Sequence, residues 1–174
     1  MRAITPSSFE PLRASHQTAV AAFVSKAQAL SAAEWDTPLA PGKWSPAQVA
    51  EHLRLSYVVF GSEAEGGQGI RIRTASWVQP WLRFRYLRGI LSTGSIPAGA
   101  RSPREARPGE GPFDRGETLS ALATAATAFE DAIARRWDSR NAVLTHHVFG
   151  RMPIRKGLRF ATVHIQHHTR QISR

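Results

Sequence analysis

The stretch Trp44-Ser45-Pro46-Ala47-Gln48-Val49 constrains the fold more tightly than any other part of this chain. Ser45 stands where a helix N-cap belongs. Pro46 takes the first helical position, where a missing N–H costs nothing, and Gln48 sits where a capping box wants Glu or Gln. Trp44 and Val49 are placed to close a hydrophobic staple. Such a cap contributes about 1 kcal/mol, and it fixes the rotational phase of everything downstream. His52, Leu53, Leu55, Ser56, Val59 and Phe60 follow, and Gly61 with Gly66-Gly67 ends the segment. With the phase set, His52 lies between Val49 and Leu53 in projection and one turn before Ser56. It points inward or toward a crevice.

Other helices are legible from apolar spacing. Glu10 or Ala14 to Leu30 carries Val20, Phe23, Val24, Ala27 and Leu30 at i, i+3, i+4 intervals. Ser31 to Trp35 continues it or adds a short turn before Pro38 and Pro41-Gly42 break it. Trp77 to Leu91, dense in aromatics and Arg, reads as a helix with Pro80 in its first turn. Glu117 to Trp137 is rich in Ala and Leu, and about Arg155 to Ile172 forms the last helix. Thr93 to Gly116 is rich in Pro, Gly and Arg and reads as a long irregular crossover, often the wall or lid of a site. Val143 to Ile154 reads as a turn feeding the last helix. Strand-like alternation occurs only around Gly69 to Arg73. The architecture expected is all-α: a four-helix up-and-down bundle with a long crossover and an inserted extra helix. The whole of 1–174 reads as a single domain, with an Arg-rich insertion or crossover over 66–116.

The 42% of hydrophobic residues suffices for a real core. No apolar run approaches a membrane span, and Met1 to Glu10 has no secretory-type apolar region. Cysteine is absent, which excludes disulfides, thiolate ligands and a cysteine nucleophile. Any metal must be held by His and carboxylates, and any reacting thiol must come from outside. A reducing cytoplasm fits. The net charge of +10 is concentrated. Between Gly66 and Gly109 lie Arg71, Arg73, Arg83, Arg85, Arg88, Arg101, Arg104 and Arg107 against Glu105 alone, so the excess belongs to one segment.

The last helix reads His164-Ile165-Gln166-His167-His168-Thr169-Arg170-Gln171. His164 and His168, four residues apart, share one face about 6 Å apart along the axis. That spacing suits two imidazoles on one divalent ion. His164 with His167 is a second chelating pair, less favoured at i, i+3. With His52 the set becomes three histidines from two helices, and at least one coordination position stays open. That is the catalytic arrangement rather than the closed structural one. Zinc suits it best, and nickel, iron and manganese are compatible. The zinc-protease pattern His-Glu-x-x-His is missing, since Ile165 stands where its base would be. Glu51 faces away from His52 on the helix. His167 reads as packed on a neighbouring helix or supporting the site. Gln171 reads as orienting a ligand or, equally, as part of a solvated last turn. Of His146 and His147, one is expected to line the mouth of the site; His16 is expected on an exposed part of the first helix.

Leu30 to Trp35 followed by Gly42 to Leu53 resembles the second-helix signature of the DinB-like superfamily. His147-Val148-Phe149-Gly150-Arg151-Met152-Pro153 through His164 to Gln171 resembles its closing motif. The resemblance implies a four-helix bundle with a long crossover between its second and third helices. It implies a metal held by His52, His164 and His168. Relatives include S-transferases that use a low-molecular-weight thiol such as bacillithiol or mycothiol, and a thiol-dependent isomerase. They are commonly dimers. The expectation is therefore a metal-dependent enzyme joining an external thiol to a small-molecule electrophile, as a homodimer. The Arg71 to Arg107 segment matches no motif of that family. It leaves two other readings: a basic module binding nucleic acid or an anionic surface, and a metal-binding bundle without catalysis. Against the first, the aromatics of 77–86 are expected in the core or a dimer interface, with the arginines on a solvated face.

Overall fold

A computed structural model describes residues 9–97, 102–139 and 141–173. Met1 to Ser8 and Arg101, which entered the sequence reading, lie outside them. Helix α1 spans Phe9–Gln28, and the short α2 spans Ala32–Asp36. Ser31 caps α2 with a complete capping box: its side chain accepts from Glu34 N, and Glu34 accepts from Ser31 N. Helix α3, Pro46–Ala64, starts at the cap read from the sequence. Gln48 N donates to Ser45 Oγ at 3.3 Å, and Ser45 N donates to Gln48 Oε1 at 3.1 Å.

The aromatic segment is one helical rod in three parts: α4 (Gln79–Leu82), a π-turn (Arg83–Leu87) and α5 (Arg88–Thr93). In the π-turn Arg88 N donates to the Arg83 carbonyl, five residues back. The widened turn puts Leu82 and Leu87, also five apart, on the same inward side. A 3₁₀ turn, Arg104–Ala106, interrupts the crossover. Helix α6 (Arg115–Arg136) is capped by Asp114, which accepts from Glu117 N at 2.8 Å. Strands β1 (Val143–His146) and β2 (Gly150–Pro153) pair antiparallel with Val143 opposite Pro153 and His146 opposite Gly150. Helix α7 (Ile154–Gln171) closes the chain.

A four-helix bundle with a long crossover is present as expected; within it α3 and α6 run parallel, their C-terminal ends joined by the Glu65–Arg135 pair, rather than alternating up and down. The hairpin corrects the sequence reading in detail. Val143 to Ile154 holds two strands in place of the turn its sequence suggests, and the alternating stretch Gly69 to Arg73 has no strand. Each strand is four residues long, and both Leu144 and Thr145 are buried, so β1 shows no inside–outside alternation. Gly150, at φ +68°, ends the three-residue loop. The positive φ favours glycine there, and a Cβ would also push the Gln79 side-chain amide aside.

The main core is built by α1, α3, α6 and α7 around Phe23, Leu53, Leu122, Phe129, Ile133, Leu158 and Ile165, all essentially inaccessible. Burial of such side chains contributes about 1.5–3 kcal/mol each. Helix α3 packs along α6 and α1 along α7, with narrower contacts of α1 with α6 and α3 with α7. The contact of α3 with α7 is what places residue 52 beside residues 164 and 168.

His16 is a second correction, since it is fully buried rather than exposed. Its Nδ1–H donates to Glu130 Oε1 at 2.6 Å, and its Nε2 lies 2.9 Å from the Tyr57 hydroxyl. Gln17 and Arg13 donate to the other Glu130 oxygen. Burial acts to raise the Glu130 carboxyl, but the hydrogen bonds from His16, Gln17 and Arg13 outweigh it and hold the group below the usual carboxylate range. The network ties α1, α3 and α6 together with its buried groups partnered.

A smaller core of Leu87, Ile90, Phe149, Met152, Phe160 and Val163 joins α5, the hairpin and α7. Of the two places expected for the aromatics of 77–86, core is ruled out, since Trp77, Trp81, Phe84 and Tyr86 are exposed. Among the described residues, no helix is long and apolar enough to cross a membrane.

Candidate metal centre

Three rings from two helices converge. His52 Nε2 lies 3.2 Å from His164 Nε2, and His164 Nε2 lies 3.1 Å from His168 Nε2. One ligand atom from each of the three falls within 4.8 Å of the others. The cap at Ser45 sets the phase that turns His52 inward, and the i, i+4 spacing on α7 supplies the facing pair.

The outer nitrogens decide what the inner ones carry. His52 Nδ1 lies 2.6 Å from the Ala106 carbonyl, which can only accept, so Nδ1 bears the proton. His168 Nδ1 lies 2.7 Å from Gln171 Oε1, while the amide nitrogen of Gln171 lies 2.9 Å from His167 Nε2. This assigns Nδ1–H to His168 as well, by the logic of the network. Both rings therefore aim an Nε2 lone pair at His164 Nε2. A single N–H on His164 can satisfy one of them at most. Protonating a further ring is opposed by burial. Burial pushes the His52 imidazole down to about 4. Burial, then the neighbouring imidazoles, holds His164 and His168 well below the ordinary range. Converging lone pairs on neutral, supported imidazoles are the donor set a divalent cation fits. Two nitrogens on one tetrahedral zinc stand about 3.4 Å apart, close to the spacings present.

The surroundings come from the crossover, the start of α3 and the middle of α7. The 3₁₀ turn in the crossover supplies the Ala106 carbonyl, and Ser102 Oγ stands 3.4 Å from His52 Nδ1. Gln48 reaches the Gly109 carbonyl and pins the same segment to α3. The crossover is therefore a wall of the site. Trp44 lies against the His52 ring with centroids 5.0 Å apart. Phe160 stacks on His164 at 5.9 Å. His52 and His168 are buried, and His164 is the half-buried member.

His167 is not one of the converging rings: its Nε2 meets the Gln171 amide nitrogen at 2.9 Å and its ring lies edge-on to His168. Glu51 is also turned away and is paired with Arg54. His147 lies outside the trio: its carbonyl accepts from Arg73 N, and its ring meets His146 at 4.4 Å. His146 is the nearer of the two. It packs edge-on against Phe160 and stacks on Phe149 at 4.6 Å, and its charged form would be felt at His164. Backbone N–H groups of Val148 and Phe149 point at His146 Nδ1. Burial, then His147, pushes the His146 imidazole down to about 3. Sequence reasoning missed the Ala106 carbonyl, because a backbone acceptor in an irregular crossover leaves no residue-type signal.

A sequence model of the DinB superfamily matches residues 16–172. Among solved structures, YfiT from Bacillus subtilis aligns with a TM-score of 0.63 at 13% identity, over 99% of this chain and 88% of that one. It is described as a probable metal-dependent hydrolase with an unusual four-helix bundle topology. No curated protein matches the sequence.

Proposed function

This chain belongs to the DinB superfamily, and from that premise we propose that it is a divalent-metal-dependent enzyme using His52, His164 and His168 as ligands. The observation that carries the proposal is the convergence of Nε2 lone pairs at 3.1–3.2 Å, with Nδ1–H of His52 and His168 held on the opposite sides. A bound divalent ion, zinc by preference, supplies Lewis acidity that lowers the pKa of a small molecule in its open position. Three neutral ligands leave the full ionic charge available for that purpose.

The chain's own groups favour an external thiol over water as that molecule. Water on a bound metal would ionise near neutral pH by itself, but among the described residues no carboxylate stands in the cluster with the three rings to act as its base. A thiol, once ionised, is a nucleophile without further help. The chain has no cysteine of its own to compete. Ala106 and Gln171 hold the two buried rings in one tautomer, the crossover shields His52 from water, and His164 marks the side open to ligands. The reading is transfer of a low-molecular-weight thiol to an electrophile. Hydrolysis is the competitor, favoured by the description of YfiT.

The test is elemental analysis of protein purified without a metal column, followed by turnover of a chlorinated aromatic electrophile with thiol and of an activated ester without it. Near-stoichiometric metal, lost in His52→Ala, with thiol-dependent turnover is the expected result. Ester turnover alone transfers the assignment to hydrolysis. Absence of metal from the wild-type protein, even after reconstitution, overturns the proposal.

A further inference from the structure

Residues 66–104 and 139–174 contain fourteen Arg and Lys and no Asp or Glu, while the rest of the chain has nine against thirteen. The fold brings these two acid-free segments together, since Leu87 and Ile90 pack with Phe149, Met152, Phe160 and Val163. Positive charge is thus concentrated in the lobe where these segments meet; among the described residues, the carboxylates that reach them do so at Thr145 (Glu63), Arg71 (Glu105) and Arg155 (Asp138). The sequence reading assigned the excess to the crossover alone. Packing adds the basic residues of α7.

The same lobe carries Ile72, Trp77, Trp81, Phe84 and Tyr86, five of the seven exposed large apolar side chains among the described residues. Trp77 is 82% exposed and Phe84 69%. The rings alternate with cations: Arg85 lies over Tyr86 at 5.5 Å and Arg88 over Phe84 at 6.0 Å. Beside them runs a groove of about 390 Å³ between α5 and α7. Phe84, Leu87 and Leu91 line it together with Arg88, Lys156 and Arg159. None of these three cations is paired with a carboxylate among the described residues.

Exposed indoles interleaved with guanidinium groups suit a bilayer interface. The rings settle at the boundary of acyl chains and headgroups, and the cations meet lipid phosphates. We infer that this face docks the protein onto an anionic lipid bilayer, with a lipid phosphate seated in the groove between Arg88, Lys156 and Arg159. The groove's apolar residues favour lipid over nucleic acid, whose binding calls for stacking platforms and a basic track but no apolar groove. A second copy of the chain fits less well, because a two-fold contact here would bring together two grooves lined by cations and no acids. The inference stands on the surface and is independent of the metal centre.

The experiment uses the full chain with vesicles of equimolar phosphatidylglycerol and phosphatidylcholine, and with pure phosphatidylcholine. Binding is read by co-sedimentation and by tryptophan emission. Expected are binding to the anionic vesicles only, a blue shift in emission, and affinity that falls with salt. Each basic residue at an anionic surface contributes about fivefold. Arg85→Gln with Arg88→Gln should therefore weaken binding about 30-fold, and Trp77→Ser with Trp81→Ser should abolish the blue shift. Far-UV circular dichroism confirms that these surface variants fold. No binding to anionic vesicles at low salt overturns the inference, as does binding that the arginine variant leaves unchanged. It is also overturned if single-stranded DNA binds more tightly than the vesicles through the same residues. A dimer that the tryptophan variant dissociates, with no vesicle binding, overturns it as well.

Discussion

Gln171 offers the sharpest test of how the centre is organised. Its Oε1 accepts from His168 Nδ1 at 2.7 Å, and its amide nitrogen bonds His167 Nε2 at 2.9 Å. Gln171→Leu removes the acceptor and keeps a similar apolar stem. The His168 ring is then free to turn, and its proton is free to move to Nε2, where it blocks the lone pair. Loss of a supporting hydrogen bond of this kind weakens metal affinity about 10–100-fold, equivalent to about 1.4–2.7 kcal/mol. The upper half of that range is expected, since the same amide also fixes His167, which packs on His168 with centroids 5.3 Å apart. Gln171→Glu should do the opposite: a carboxylate accepts more strongly, raises the basicity of His168 and restores or improves affinity. Competition against a chromogenic zinc chelator measures both variants. The half-buried position limits the effect on metal-free stability to about 1 kcal/mol. Equal affinities for wild type and Gln171→Leu, with His168→Ala abolishing binding, would refute the reasoning: His168 would be a ligand that needs no support.

Three further outcomes follow from the same structure. The metal-free protein should lose stability as pH falls below about 6.5. The unfolded chain then binds protons at His52 and His146 that the folded state refuses until about 4 and about 3. The loss reaches roughly 2–3 kcal/mol per histidine at pH 4.5; urea midpoints that stay constant from pH 7 to 4.5 would contradict it. Phe129→Ala empties the centre of the main core, where the ring touches His16, Tyr57 and Phe60, and should cost about 3–5 kcal/mol in urea unfolding. Ser45→Ala removes the cap of α3 and should cost about 1 kcal/mol by the same measurement.

What the sequence determined by itself was governed by short-range physics. The start of α3 was readable because Ser45, Pro46 and Gln48 act within one turn of each other, and they act alike in any context. The face shared by His164 and His168 was readable because helix geometry alone places residues four apart together. The inward direction of His52 followed from the same cap. Tertiary structure decided everything that depends on a distant partner. His16 is buried because Glu130, 114 residues away, accepts its proton, and no local pattern on α1 shows that. The hairpin forms because two four-residue strands find each other and shelter under α4 and α7; neither has a period long enough to read. The aromatics of 77–86 stay out of the core because the π-turn sends Leu82 and Leu87 inward and leaves the larger rings outside. The meeting of α3 with α7 brings the three imidazoles to 3.1–3.2 Å. Spacing along one helix constrains which residues share a face, and only packing between helices decides which faces meet.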